Sequence, residues 1–415
     1  MKIRNIAIIA HVDHGKTTLV DCLLHQSGLF RNNQQVAERA MDSNVLERER
    51  GITILAKCTS VDWSGTRINI VDTPGHADFG GEVERILSMV DGVMILVDAS
   101  EGPMPQTKFV LTKALSLNLN PIVIINKVDR SDQRADQVHD EIFDLFVALN
   151  ANEKQLDFPT LFASAKNGWA TADLNTPSED MAALFDLIVK HVPPPNVNPG
   201  GGFSLLVTTL ETDPYLGRVL TGRIQSGEVR QNMSIKALNR DSVKIETSRI
   251  TKLLQFRGLE RLPVEEASAG DIVAIAGFQN ATVSDTLCDN SITKALKALP
   301  IDPPTLAMTF SINDSPLAGT EGSKVTSREI WNRLEREAEG NVALLVSRTE
   351  DMNAFEVAGR GELQLAVLIE TMRREGYELS ISRPRVIYRQ DEKSGERLEP
   401  IEELFIDVDE EFSGI

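Results

Sequence analysis

Four short clusters carry residues able to hold a polyphosphate and a purine, and they follow one another in a fixed order along the chain. The first is Ala10-His11-Val12-Asp13-His14-Gly15-Lys16-Thr17, set between an apolar run and an amphipathic stretch. A phosphate-binding loop needs that setting: its backbone N–H groups point at the anion, Lys16 reaches the β and γ oxygens, and the Thr17 hydroxyl is a ligand for Mg²⁺. Asp13, His14, Gly15 and Thr18 fall beside them as expected nucleotide contacts. Ala10 stands where the general motif has glycine, which requires its backbone to avoid positive φ. A Gly-Lys-Thr alone also arises by chance and decides little.

The second cluster, Asp72-Thr73-Pro74-Gly75-His76, directly follows the apolar run Ile68–Val71. Asp72 sits where Mg²⁺ is held through a water, and the N–H of Gly75 can approach a γ-phosphate with no side chain in the way. His76 either orients the attacking water or caps the next helix; a hydrolase needs the former. Asn126-Lys127-Val128-Asp129 ends another apolar run, and the Asp129 carboxylate matches the N1–H and N2 amine of guanine, a donor pair that adenine lacks. Asn126 can serve O6 and brace the loop. Ser164-Ala165-Lys166 adds a backbone N–H for O6 and a lysine stem to pack on the base, although the tripeptide gains weight only from its place in the order. Between the first two clusters, Arg48-Glu49-Arg50-Gly51-Ile52-Thr53-Ile54 is either a solvated charged turn or a switch in which Thr53 closes over Mg²⁺ and the γ-phosphate. Lys16, Thr53 and His76 are thus the candidate catalytic residues, and Thr17, Thr53 and, through water, Asp72 the candidate Mg²⁺ ligands.

Apolar runs must place these clusters. Ile6–Ala10, Ile68–Val71, Val93–Val97 and Pro121–Ile125 are continuous and rich in Val and Ile, which suits a parallel sheet covered on both faces, and amphipathic stretches separate them. Residues 1–198 therefore read as a doubly wound α/β domain. Val192-Pro193-Pro194-Pro195 to Gly200-Gly201-Gly202 cannot continue a helix and marks a boundary. Residues 199–300 carry short β-type runs (Phe203–Thr209, Arg218–Ile224, Ser234–Ala237, Ile272–Ala276) between turn residues, the pattern of a β-barrel. Residues 301–383 read as a small α+β domain: strand Leu306–Ile312, helix Ser327–Glu339, strand Ala343–Ser347, a Gly359-Arg360-Gly361 turn and helix Glu362–Glu375. Residues 384–415 begin a further α+β unit too short for a core of its own.

With 415 residues, 41% of them hydrophobic and 25% charged, the chain is long enough for several ordinary globular domains. Cys22, Cys58 and Cys288 are far apart and form no CxxC pair, which indicates neither a disulfide framework nor a zinc site and fits a reducing cytosol. No apolar stretch approaches the roughly 20 residues of a bilayer span, so no membrane partner is expected. A net charge of −18 argues against diffuse nucleic-acid binding, leaving only a local contact. Its candidate is the segment bearing Arg360, Arg373, Arg374, Arg383, Arg385 and Arg389, whose acidic neighbours fit a solvated helix face equally well.

These residues resemble the translational GTPases, the family of elongation factor G and its relatives. His11 to Thr18, Arg50 to Ile54, Asp72 to His76 and Asn126 to Asp129 are similar to the family's guanine-nucleotide motifs almost letter for letter. Ala10 matches the elongation factor G branch. The likeness continues through the barrel, Gly359-Arg360-Gly361-Glu362-Leu363 and Leu398-Glu399-Pro400-Ile401. It is closest to a ribosome-associated branch, on Met41-Asp42-Ser43 to Ile54, Ile68 to Arg85, Gly102 to Thr107 and Ser382-Arg383-Pro384, with too short a gap from Asp129 to Ser164 for the inserted subdomain of elongation factor G.

The resemblance implies a P-loop GTPase domain, a barrel like domain II, a ferredoxin-like α+β domain like domain III, and the truncated start of a unit like domain V. It implies conversion of GTP to GDP and phosphate with Mg²⁺. Val12 and Ile52 would flank His76 as a hydrophobic gate, and Asp13 would help hold a monovalent cation. The implied partner is the ribosome, both its proteins and its rRNA, with the sarcin–ricin loop drawing His76 into place. The implied role is large-subunit assembly and translation under cold or other stress, by a cytoplasmic monomer. Family members continue past Ile415 into a C-terminal region that contacts rRNA. Two other readings stay open on the residues alone: a nucleotide-gated RNA-binding module with little hydrolysis, and a P-loop kinase or ATPase, against which Asn126 and Asp129 speak.

Overall fold

The computed structural model describes residues 2–28, 45–50, 53–54, 56–74, 76–176, 178–299, 303–341, 343–351, 353–391 and 394–401. The chain divides into two compact units, residues 1–76 with 82–299, and residues 77–81 with 300–415.

The first unit opens with strand β1 (Lys2–Ala10) and helices α1 (Lys16–Gln26) and α2 (Val45–Arg50). Strands β2 (Lys57–Trp63) and β3 (Thr66–Asp72) precede α3 (Gly80–Leu87), β4 (Gly92–Asp98), α4 (Pro105–Ser116) and β5 (Asn120–Asn126). Helices α5 (Ala135–Ala148) and α6 (Glu153–Leu156), strands β6 (Thr160–Ser164) and β7 (Trp169–Thr171), and helix α7 (Ala182–His191) complete the α/β part. Its seven strands lie in the order β2-β3-β1-β4-β5-β6-β7.

Strands β3, β1, β4, β5 and β6 are parallel, and alternate residues feed two cores. Ala7, Ile9, Val93, Ile95, Val123 and Ile125 pack on one face, and Ile6, Ile8, Met94, Leu96, Ile122 and Ile124 on the other. Two buried faces explain why these runs are apolar throughout instead of alternating. The antiparallel edges β2 and β7 were not visible as apolar runs. A tight hairpin joins β2 to β3, with Ser64 at φ 47° and Gly65 at φ 75°, both in the left-handed region that a type I′ turn demands.

The barrel follows as an eight-stranded sheet around Phe203, Leu205, Leu220, Ile224, Leu253 and Ile275, with its longest hairpin formed by Ser204–Asp213 and Gly217–Ser226. A buried polar network ties it to the α/β part. The Asp271 carboxylate accepts from Arg67 Nη1 (3.1 Å), Asn69 Nδ2 (3.3 Å) and Gln255 Nε2. Asn5 donates to Asp91 (3.1 Å) and to the Gly270 carbonyl (3.0 Å), and Arg223 pairs with Asp91 at 2.9 Å. Burial pushes the Asp91 carboxyl up, against the pull of Arg223 and Asn5.

The second unit has an antiparallel sheet centred on Leu306–Ile312, flanked by Ala354–Gly359 and Leu379–Ile381, with Leu345–Arg348 outside. Helices Ser327–Gly340 and Glu362–Arg374 accompany the sheet, and Phe310, Ile330, Leu334, Phe355, Leu365 and Met372 form the shared core. Thr326 and Glu329 form a capping box at the first helix. The second begins after Gly361, which has no side chain to offer, and the Asp78 carboxylate accepts instead from the N–H groups of Leu363 (2.8 Å) and Gln364 (3.2 Å). The strand expected at Ala343–Ser347 lies at Leu345–Arg348, and Ala354–Gly359 is an additional strand. Arg373 and Arg374 both pair with Glu370 on their own helix, and Arg385 pairs with Glu356. After Pro384 the described chain makes three two-residue strands.

Candidate nucleotide site

The carboxyl ends of the parallel strands converge beside β1, where the strand order reverses from β3 to β4, the place where open α/β sheets bind ligands. A cavity of about 470 Å³ opens there. Its walls bring together Asp13, Gly15, Lys16, Thr17, Thr18, Thr53, His76, Asn126, Lys127, Asp129, Ser164, Ala165 and Lys166. The expected contacts at Gly75 and Ile52 lie outside the described residues. Ala10, Val12 and Arg130 also line the cavity, and Ala10 is the last residue of β1, with no positive φ.

At the phosphate end the loop turns through Asp13 (φ 62°) and Gly15 (φ 92°) before α1 begins at Lys16. A Cβ on Gly15 would lie 2.5 Å from Asn126 Nδ2, so glycine serves both the backbone angle and the close approach. Lys16 Nζ is 2.8 Å from Asp72 Oδ1 and donates to the Thr73 carbonyl at 2.8 Å. Thr73 is fixed in turn by its hydroxyl on the Ile8 carbonyl (2.7 Å). Thr53 is buried, and its hydroxyl lies 3.5 Å from Asp72 Oδ2. Glu47, buried on α2, anchors the next residue: its Oε1 accepts from the Ile54 N–H (3.0 Å), and its Oε2 pairs with Lys57 (2.6 Å). His76 is half-buried on the cavity wall. Thr17, Thr53 and Asp72 offer two hydroxyls and one carboxylate. That is a hard oxygen set, too small for an all-protein cage, which suits Mg²⁺ completed by phosphate and water.

At the other end of the cavity both polar atoms of the Asn126 amide bond to the protein. Its Nδ2 donates to the His14 carbonyl (2.9 Å), and its Oδ1 accepts from the Ala165 N–H (2.9 Å). Lys127, at φ 64°, places Nζ 2.6 Å from Asp98 Oδ2. Asp129 is exposed, and its Oδ2 accepts from Asn167 Nδ2 at 3.2 Å.

His14 stands apart from the other loop residues. Its side chain is fully buried beneath the loop, Nδ1 accepts from the Asp98 N–H (3.3 Å), and Nε2 lies 3.3 Å from Glu101. Burial depresses its pKa, against the Leu96 carbonyl, Glu101 and Asp98. The His14 ring thus lies out of the cavity, packed against the end of β4.

Sequence reading did not single out Glu47, Asp98, Glu101, Arg130 or Asn167. For Asp98 a signal existed: it ends β4 just as Asp72 ends β3 and Asn126 ends β5, all at the carboxyl edge of one parallel sheet.

Residues 1–194 match the elongation factor Tu GTP binding domain, and residues 217–288 match elongation factor Tu domain 2. A large ribosomal subunit assembly factor BipA of Escherichia coli is 54% identical over 413 residues, covering 100% of this chain and 68% of that protein. The protein of the same name from Bacillus subtilis is 54% identical over 412 residues, 99% of this chain and 67% of the relative. The chain belongs to the BipA family of translational GTPases. A further BipA, from Synechocystis, is 56% identical over 410 residues, 99% of this chain and 68% of its own length. The fold of a crystallised Thermus thermophilus protein agrees at a TM-score of 0.69 and 20% identity, covering 94% of this chain and 68% of that one. As a BipA-family GTPase the chain binds guanine nucleotide and is a GTP hydrolase. No helix among the described residues is long and apolar enough to cross a membrane.

Proposed function

We propose that this chain hydrolyses GTP in the cavity between Lys16 and Asp129 while acting on the large ribosomal subunit during its assembly, as the name of its relatives suggests for them. The observation that carries this is the lining of one cavity by Lys16, Thr17, Thr53 and His76 together with Asn126 and Asp129.

The nucleotide's phosphates lie along the loop from Asp13 to Thr18, met by backbone N–H groups at the start of α1 and by the Lys16 ammonium. Lys16 neutralises charge as the γ-phosphoryl group leaves the β-phosphate oxygen. His76 orients a water for in-line attack on the γ-phosphorus; a P–O bond forms to that water, the bond to GDP breaks, and the water's protons end on phosphate and solvent. Thr17 and Thr53 would hold Mg²⁺ directly and Asp72 would hold it through water, and when bound the ion supplies charge neutralisation at the β and γ oxygens. Asp129 accepts from the guanine N1–H and N2 amine, a backbone N–H of the Ser164-Ala165-Lys166 turn serves O6, and the Lys166 stem covers the base. Asp13 would help hold a monovalent cation near the phosphates. The partner is the ribosome, whose sarcin–ricin loop would set His76 for attack, and the chain works as a cytoplasmic monomer.

Single-turnover GTP hydrolysis with and without 50S subunits tests this reading. Ribosomal particles should accelerate turnover, and His76→Ala should abolish the acceleration while leaving binding of a fluorescent GDP analogue intact. Full turnover in His76→Ala would refute the role of His76. Neither stimulation by nor co-sedimentation with subunits would refute the ribosomal role.

A further inference from the structure

The turn after β6 contains a side chain that the chemistry above does not use. Asn167 folds back over Ser164: its N–H reaches the Ser164 carbonyl (3.1 Å), and its Nδ2 donates to Ser164 Oγ (2.9 Å). The same Nδ2 donates to Asp129 Oδ2 at 3.2 Å, across 38 residues of chain. Ser164 itself is fully buried. One amide therefore links the turn after β6 to the exposed Asp129 carboxylate.

The turn is fixed independently of any nucleotide. Gly168 follows at φ 80°, and its N–H closes on the Ser164 carbonyl at 2.8 Å. Gln26, the last residue of α1, donates to the Gly168 carbonyl (2.7 Å) and accepts from the Met181 N–H (2.7 Å). The helix that starts at the phosphate loop thus ends by clamping the turn that carries Asn167. An exposed carboxylate on a loop otherwise samples several rotamers, and a ligand that needs one of them meets an ordering cost on binding.

We propose that Asn167 is a specificity-positioning residue: it holds the Asp129 carboxylate in the attitude that accepts from both the N1–H and the N2 amine of guanine. The inference rests on the reading of Asp129 as the guanine acceptor. Asn167 needs no contact with the nucleotide to act. Its effect falls on the two-point contact, so it shows in the choice between guanine and hypoxanthine, which keeps N1–H and lacks the N2 amine.

The test is equilibrium binding of fluorescent GDP, inosine diphosphate and ADP to the full chain and to Asn167→Ala and Asn167→Asp. In the unaltered protein GDP should bind more tightly than inosine diphosphate. Asn167→Ala should narrow that ratio by about three- to tenfold, the span of one hydrogen bond to a charged group at an exposed position. Asn167→Asp keeps the shape of the side chain, removes the donor and sets a like charge beside Asp129, so it should narrow the ratio further. In an Asp129→Asn background Asn167→Ala should change nothing more, because the two act as one unit. An unchanged ratio in both variants, or an equal loss for GDP and inosine diphosphate, would overturn the role of Asn167. Failure of the unaltered protein to prefer GDP over ADP would instead overturn the guanine reading of Asp129 and carry the inference with it.

Discussion

At the guanine end of the cavity, Asn126, Lys127 and Asp129 are each tied to another part of the framework: to His14 and Ala165, to Asp98, and to Asn167. At the phosphate end, Lys16 and Thr53 converge from different loops on a single buried carboxylate, Asp72. The first arrangement braces each side chain separately, so little has to be ordered when a base arrives. The second is a cluster of charge and hydroxyl groups whose natural complement is phosphate. Pairing Lys16 with Asp72 relieves the cost of a buried ammonium, and a γ-phosphate then competes for the same cation. The side chains of one end are thus braced by separate partners, whereas those of the other share a single carboxylate.

Gly15 joins the two ends, and altering it should do the most damage. Gly15→Ala forces an L side chain into φ 92° and drives a methyl group to 2.5 Å from Asn126 Nδ2. A left-handed alanine costs about 1–2 kcal/mol and a broken buried amide about 1–3, which together predict a fall of roughly 10³ in the affinity for both GDP and GTP. Fluorescent-nucleotide titration checks it, and near-normal affinity would show that the two ends are not coupled through this position. Asp129→Asn should separate them instead. Replacing an ionised acceptor by an amide removes a charge-assisted pair and predicts a several-hundredfold loss of GDP affinity, with a gain for xanthosine diphosphate. Turnover at saturating xanthosine triphosphate should stay near that of the unaltered protein with GTP; a collapse would mean that the guanine end also serves the chemistry.

Thr53→Ala probes the other half. Removing one group that acts where charge develops costs about a hundredfold in turnover. GDP affinity should hold, since the guanine end is untouched. Equal losses in both quantities would make Thr53 a packing residue.

Legibility in the sequence followed the same division between what short motifs specify and what tertiary contacts add. Strands buried on both faces were plain, because Ile6–Ala10 and Val93–Val97 have no polar alternation to confuse them with a surface strand. Edge strands β2 and β7 were not, since Lys57–Trp63 mixes Cys, Thr, Ser and Asp, several of which are spent on hydrogen bonds to the barrel. The motifs named nearly the whole cavity wall, because phosphate and guanine each dictate residue types at fixed spacing. They did not reveal which way a side chain turns. His14 sits in the phosphate motif yet points under it, and Asn167 and Asp98 act through partners 38 and 29 residues away or more in the chain, beyond any local pattern.

The smallest effect belongs to Asp98, the brace beneath both ends. Burial alone would raise its pKa, but the Lys127 ammonium and the Ser100 N–H and hydroxyl outweigh burial and hold it at about 2. A carboxylate depressed in the folded chain stabilises it above the unfolded value near 4 and loses that contribution as pH falls toward the folded value. The shift corresponds to about 2.5 kcal/mol, or roughly seventyfold in the unfolding equilibrium. Asp98→Asn should therefore lower the stability of the nucleotide-free chain at neutral pH, and the gap between the two proteins should narrow by roughly half as urea unfolding is repeated from about pH 6 down to about pH 3. Because Asp98 supports Lys127 by its carboxylate and His14 by its N–H, the variant should weaken GDP binding less than it weakens the fold. A gap that persists unchanged at acid pH would place the stabilising charge on some other residue and leave Asp98 as a backbone prop alone.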